Sequence, residues 1–266
     1  DKLLGEVLAH PSARFLSKLR LGMPMDPEDG EQDYADVIKA LAKTEALGRL
    51  RELFIGDITQ EESEISWVNV GDLSPLYKTA KNLRKLTIHA GSDVKLGKLE
   101  LPELRELVII TGGFDKKNLA SILSAKLPKL EVLEIWFGRP NYGGNCTMKD
   151  LKPLLDGKAS FPKLKELGIC NCEFADEVAA ALATSKILPK LESLDLSKGT
   201  LTDTGVTAML EHADAFQHLR KINLSDNYVG KTSAAAAKLC KAVRTRPQRT
   251  PDNWDGEDRR YAALGE

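Results

Sequence analysis

One spacing of apolar and polar residues returns along the whole chain. An apolar residue is followed by two other residues, a second apolar residue, one more position and a third apolar residue. It reads Leu16-x-x-Leu19-x-Leu21, Leu50-x-x-Leu53-x-Ile55, Leu83-x-x-Leu86-x-Ile88 and Leu104-x-x-Leu107-x-Ile109. It continues as Leu130-x-x-Leu133-x-Ile135, Leu164-x-x-Leu167-x-Ile169, Leu191-x-x-Leu194-x-Leu196 and Leu219-x-x-Ile222-x-Leu224. One copy means little, because Leu is common. Eight copies, most with Lys, Arg or Glu between the apolar positions, define a repeat. Alternate side chains of a strand share a face, so the second and third apolar residues of each copy enter a core together. The stretch 175–182 has helical composition and period. Thr202-Asp203-Thr204-Gly205 offers hydroxyl and carboxylate groups to a helix start. Pro102, Pro128, Pro162 and Pro189 stand shortly before strands, where proline stops an incoming helix.

Strand, outward turn and returning helix, stacked many times, predict an α/β solenoid. Its parallel sheet lines a concave face and its helices a convex one. The later copies carry further repeat positions: Cys172 and then Phe174, and Asn227 and then Val229. These resemble the ribonuclease-inhibitor class of leucine-rich repeats, whose units carry an outer helix. The segment Gly56-Asp57-Ile58-Thr59-Gln60-Glu61-Glu62-Ser63-Glu64-Ile65-Ser66-Trp67 resembles an uncharacterised bacterial family of leucine-rich-repeat proteins. Trp136-Phe137-Gly138 with Tyr142-Gly143-Gly144, and the ending Arg260-Tyr261-Ala262-Ala263-Leu264-Gly265-Glu266, are similar to the same family. The resemblance covers roughly residues 50–266. The first 45 or so residues, with Leu3-Leu4, Leu8-Ala9-His10-Pro11 and Phe15-Leu16, resemble the linker and first repeat of bacterial proteins with an upstream WGR or repeat-companion domain. The resemblance implies the fold and a bacterial origin and supplies no substrate.

The repeat domain is expected over 1–246, with 1–14 as a helical cap, repeats from about 15, and 231–245 as the last outer helix. Residues 247–266 read as a polar tail, mobile unless Trp254 or Tyr261 anchors it. Copies are spaced from about 21 to about 34 residues apart, so loops of unequal length project from one side. The start of the chain lacks an initiator Met and the basic, then apolar, run of a signal peptide. That fits a trimmed chain or one region of a longer parent.

Composition changes this picture little. Aromatic residues are only 6%, so the core is built from Leu, Ile, Val and Ala. A net charge of −1 gives no electrostatic reason for nucleic acid or an anionic membrane as the main partner. No apolar run is long enough to cross a bilayer. Cys146, Cys170, Cys172 and Cys240 form no C-x-x-C and no zinc spacing. Read as free thiols, they point to the cytoplasm.

The residues between the core leucines face outward from the sheet. The two ends of that surface are polar. Its middle carries Phe54, Val108, Ile110, Val132, Trp136 and Cys170, with His89 on the same face and Glu106, Glu134, Glu166 and Asp195 as an acidic stripe. An apolar patch of this kind marks an interaction site, and Trp is frequent among binding hot spots. The expected partner is a protein or peptide with an apolar anchor and a basic rim. Phe54, His89, Val108, Ile110, Val132, Glu134, Trp136, Glu166 and Asp195 are its candidate contacts. The alternative for the patch is coverage by the loop 136–148.

Catalysis finds no support. His89 is the one histidine expected on the concave face, two rows or more from Cys170, and no hydrolase, metalloprotease or kinase signature is present. The acidic loop 57–67 reads as a solvated or capping segment rather than a cation site, and Trp67 as its core anchor. Gly138-Arg139-Pro140-Asn141-Tyr142-Gly143-Gly144 reads as turns, since it lacks the Lys-Ser/Thr of a phosphate loop. No cofactor or metal is expected. The reading is a non-catalytic binding scaffold. The competing readings are a purely structural module of a larger bacterial protein and a nucleic-acid-associated one using Lys116, Lys117, Lys126, Lys129, Lys163 and Lys165.

Overall fold

The computed structural model describes residues 2–25, 30–91 and 93–264. Nine strands form one all-parallel sheet in which every strand lies beside its predecessor in the sequence. They are β1 Lys18–Leu21, β2 Glu52–Ile55, β3 Lys85–Ala90, β4 Glu106–Thr111 and β5 Val132–Gly138. β6 is Glu166–Cys172, β7 Ser193–Asp195, β8 Lys221–Asn223 and β9 Val243–Arg244. The register places equivalent repeat positions side by side, so the apolar spacing becomes columns. Leu53, Leu86, Leu107, Leu133, Leu167, Leu194 and Ile222 form one column, each no more than 2% exposed. Ile55, Ile88, Ile109, Ile135, Ile169, Leu196 and Leu224 are buried as completely. Leu19 and Leu21 of β1 are only half-buried, because β1 is the edge strand of the described sheet.

Helices α1 Lys2–Ala9, α2 Ala35–Lys43, α3 Lys116–Ser124, α4 Met148–Leu155, α5 Ala175–Leu182 and α6 Asp203–Leu210 complete the main elements. α1 begins at the expected cap but buries none of its residues; Leu4 and Leu8 pack partly on the core while Leu3 stays exposed. Carboxylates at helix starts tie neighbouring repeats together. Asp176 accepts hydrogen bonds from the Thr202 amide (2.8 Å), the Thr202 hydroxyl (2.6 Å) and the Gly205 amide (3.1 Å). Asp203 accepts from the amides of Gly230, Lys231 and Thr232 and the Thr232 hydroxyl. Thr202 caps its own helix through the Thr204 amide.

Two expectations are corrected. Residues 231–245 do not form an outer helix. They make one short 3-10 turn, Ala235–Lys238, and then the ninth strand. Ile222 pairs with Val243, a return of about 21 residues, which leaves no room for a full helix. The same applies between β3 and β4, where the outer segment is the extended Val94–Lys95. Trp67 is not a core anchor: it is 50% exposed, and Ile65, at the start of the same 3-10 turn, takes the buried place.

The tail is docked. Arg249 stacks on Tyr228 at 4.6 Å and donates to the carbonyls of Asp226 and Gly199. Beyond an exposed hairpin, β10 Asp252–Trp254 and β11 Glu257–Arg259, the chain runs back over the turns that follow the main strands. The Tyr228 hydroxyl exchanges hydrogen bonds with the backbone of Tyr261. Arg139 donates twice to the Ala262 carbonyl and stacks on the Tyr261 ring. The Ala263 amide donates to Lys198, and Leu264 makes paired bonds with the side chain of buried Asn171 (2.7 and 2.8 Å). Of the two anchors considered, Tyr261 is one; the side chain of Trp254, like residues 265 and 266, lies outside the described residues.

Candidate functional site

Strand register turns the concave face into rows. The first runs Lys18, Glu52, Lys85, Glu106, Val132, Glu166, Ser193, Lys221. The second runs Arg20, Phe54, Thr87, Val108, Glu134, Gly168, Asp195, Asn223 and ends on Arg244. In the third, His89 pairs with Ile110, and Trp136 with Cys170. The acidic residues are therefore not one stripe: Glu106 and Glu166 stand in the first row, Glu134 and Asp195 in the second.

The first four strands satisfy their charges internally. Lys18 pairs with Glu52 (2.8 Å) and Lys85 with Glu106 (2.6 Å). Arg20 forks onto Asp57 (2.6 and 2.7 Å) while its guanidinium lies 4.9 Å from the Phe54 ring centre. His89 places Nδ1 3.0 Å from the Gly56 carbonyl, so that nitrogen carries the proton. Burial pushes His89 below its ordinary value, against the smaller raising effects of Gly56 and Asp57. Phe54 and His89 are thus at the margin of the predicted site and already engaged.

Strands β5 to β7, together with the apolar end of β4, differ. Val108, Ile110 and Val132 are half-buried on adjoining strands. The Trp136 indole donates to Glu134 Oε1 at 2.7 Å, which fixes the ring edge. Glu134 lies across Gly168, where an added Cβ would meet Glu134 Cγ at 2.7 Å. Burial raises the Glu134 carboxyl; the Trp136 bond opposes this, and Asp195 and Glu106 add to it. Asp195 accepts from the Ser197 amide and Asn223 Nδ2, and Glu166 is exposed. Among the described residues, Glu134, Glu166 and Asp195 have no ion-pair partner, unlike Glu52, Asp57 and Glu106. Lys198, whose Nζ lies 5.6 Å from the Trp136 ring centre, is paired with Asp226 at 3.7 Å. Sequence reasoning passed over Lys198, because it follows β7 in a turn with φ 66° rather than lying on the strand.

Cys170 does not belong to the exposed patch. It is 1% exposed, its Sγ faces the Asp195 carbonyl at 3.9 Å, and burial pushes its thiol well above the ordinary value. It also stands three strands from His89, about 14 Å along the sheet, so the two form no Cys–His pair. The loop 139–147 turns toward the preceding repeat. Arg139 N donates to the Gly112 carbonyl, Asn145 N to Phe114, and the Asn145 side chain bonds Lys116 N and Asp115. In the acidic loop 57–67, Asp57 goes to Arg20, and Glu62 accepts from Thr59. Among the described residues no three His, Cys, Asp or Glu side chains gather as a metal site.

The family profile described as Leucine Rich repeat matches residues 188–210, which hold β7 and the start-to-end span of α6. The crystal structure of a Bacteroides fragilis protein is similar over 99% of this chain and 72% of that one, with 30% identity and a TM-score of 0.81. The chain belongs to that protein's family, a family of leucine-rich-repeat proteins. An internalin of Listeria monocytogenes aligns with 79% of this leucine-rich-repeat chain and 71% of its own, at 19% identity and a TM-score of 0.34, a likeness that carries no argument. No curated protein matches it. The four cysteines of this leucine-rich-repeat protein are free thiols, and no helix among its described residues is long and apolar enough to cross a membrane.

Proposed function

We propose that this leucine-rich-repeat protein is a non-catalytic scaffold whose concave face receives a segment of another protein. The observation that carries the reading is the half-exposed apolar group Val108, Ile110, Val132 and Trp136, contiguous across β4 and β5 on a rigid parallel sheet. Apolar side chains held open at the centre of a concave face gain by desolvation when a partner covers them. Glu134, Glu166 and Asp195 border this group, and Phe54 and His89 extend it toward the N-terminal strands. Free thiols and the Bacteroides relative fit a bacterial, cytoplasmic setting, which belongs to the same proposal. The nucleic-acid reading loses support, because Lys129 is held by Glu103 and Lys165 by Glu192.

The test is a pull-down from bacterial lysate with the intact chain and with an Ile110→Ser, Trp136→Ala variant of matched thermal stability. A protein captured by the first and absent from the second supports the reading. Identical captures from both would rule out the concave centre as the working surface.

A further inference from the structure

We propose that the cradle formed by Trp136 and Glu134, with Asp195 and Glu166 beside it, takes a cationic side chain of the docked protein segment, and that Lys198 stands in for that cation while the face is empty. This deepens the concave-face reading and rests on it.

The first support is charge complementarity. On β1 to β4 each outward carboxylate meets a cation of its own chain. On β5 to β7, among the described residues, none does, although Glu134 is half-buried and lies near a second carboxylate, Asp195. A partner cation would supply the missing charge. The second support is the ring. Its Nε1–H is committed to Glu134, so the indole is held in place and a face is available to a cation. The third is Lys198 itself. Its ammonium shows that the place over the ring accepts a cation, yet its hold is loose, with a 3.7 Å contact to Asp226 and a side chain 39% exposed.

The Lys198 backbone is fixed by the Ala263 amide, so the side chain can leave without moving the strand or the turn. Gly168 lets Glu134 lie across the neighbouring strand, where any side chain at 168 would displace it. Arginine suits the cradle better than lysine, because a guanidinium stacks flat on an indole and bonds a carboxylate with two N–H groups. Val108, Ile110 and Val132 would take the apolar residues on either side of it.

The experiment titrates the full chain with acetyl-Leu-Arg-Leu-Arg-Leu-amide and with the same peptide carrying citrulline, a neutral isostere, in place of arginine. Trp136 fluorescence is read in a Trp67→Phe, Trp254→Phe background. The arginine peptide is expected to bind about ten-fold tighter than the citrulline peptide, and Glu134→Gln to erase that preference. Lys198→Met, checked for an unchanged melting temperature, is expected to tighten arginine-peptide binding about three-fold or more and to shift Trp136 emission without peptide.

Weaker or unchanged binding by Lys198→Met overturns the stand-in role. Equal binding of both peptides, lost in Ile110→Ser, overturns the cation cradle and leaves the concave face standing. No binding of either peptide at about millimolar concentration, in the parent or Lys198→Met, overturns the proposal, and the pull-down then decides the concave reading separately.

Discussion

The two halves of the concave face solve the same problem differently. On β1 to β4 every outward charge finds a partner within the chain, through Lys18–Glu52, Lys85–Glu106 and Arg20–Asp57. Exposed pairs of this kind add little stability, but they leave nothing electrically unfinished. On β5 to β7 the chain places Glu134, Glu166 and Asp195 beside Trp136 with no cation on the strands themselves. Holding a half-buried carboxylate such as Glu134 on a single indole hydrogen bond, without a counter-ion, costs free energy. The first half is complete as it stands. The second half carries a cost that the proposed segment would relieve.

The largest expected effect is on the turn that frames the open half. Gly138 has φ 67°, and a Cβ there would collide with the Gly112 carbonyl. Gly138→Ala is expected to destabilise by about 3 kcal/mol or more in urea unfolding. Next is the core. Leu133→Ala, in the fully buried column, should lose about 3 kcal/mol, and Leu19→Ala, on the half-buried first strand, about 1 kcal/mol. Equal losses would mean that the first repeat is as tightly enclosed as the fifth.

Acid separates the halves further. His89 has a folded-state pKa below its ordinary value of 6.5, so the unfolded chain takes the proton first. Its contribution is present above about pH 6.5 and fades as pH falls through the lower folded value. His89→Gln should flatten the decline in melting temperature as pH falls below about 6.5. Glu134 works in the opposite sense, with its folded pKa raised. The stabilisation that goes with its protonated form is lost as pH rises from its ordinary 4.5 through the raised value.

The smallest effects carry the sharpest contrast. At pH 7, Glu134→Gln should leave stability unchanged or raise it by about 0.5 kcal/mol. Glu106→Gln, which breaks the pair with Lys85, should lower it by about 0.5 kcal/mol. Shifts of the same sign at both positions, measured by thermal unfolding, would abolish the distinction between the halves.

The rows of the concave face were legible because a strand has period 2 and the leucine spacing marks which side is buried. The first two outward positions of the eight copies stand side by side in the register, whereas at the third position Cys170, Ser197 and Ser225 are buried. The ninth strand was not legible, because its copy has degenerated to Cys240-x-x-Val243, and the alanines before it suggested a helix. The burial of Cys170 depends on bulk around it: a small side chain paired with Trp136 and facing the Asp195 backbone is closed off whatever row it stands in. Trp67 was misjudged because size was read as burial, when Ile65 fills the interior place. Lys198 reaches the site from a turn, and turns carry no periodicity that aims their side chains.

The docked tail bears on how the protein is made. Arg139, Asn171, Lys198 and Tyr228 leave the ribosome long before Tyr261, Ala262, Ala263 and Leu264, the residues that bind them. During synthesis the strands from β5 to β8 can stack as they emerge, but their turns stay open until that last stretch arrives. A chain that ends between Arg244 and Tyr261 holds the residues of all nine strands but none of the contacts that Tyr261 to Leu264 make.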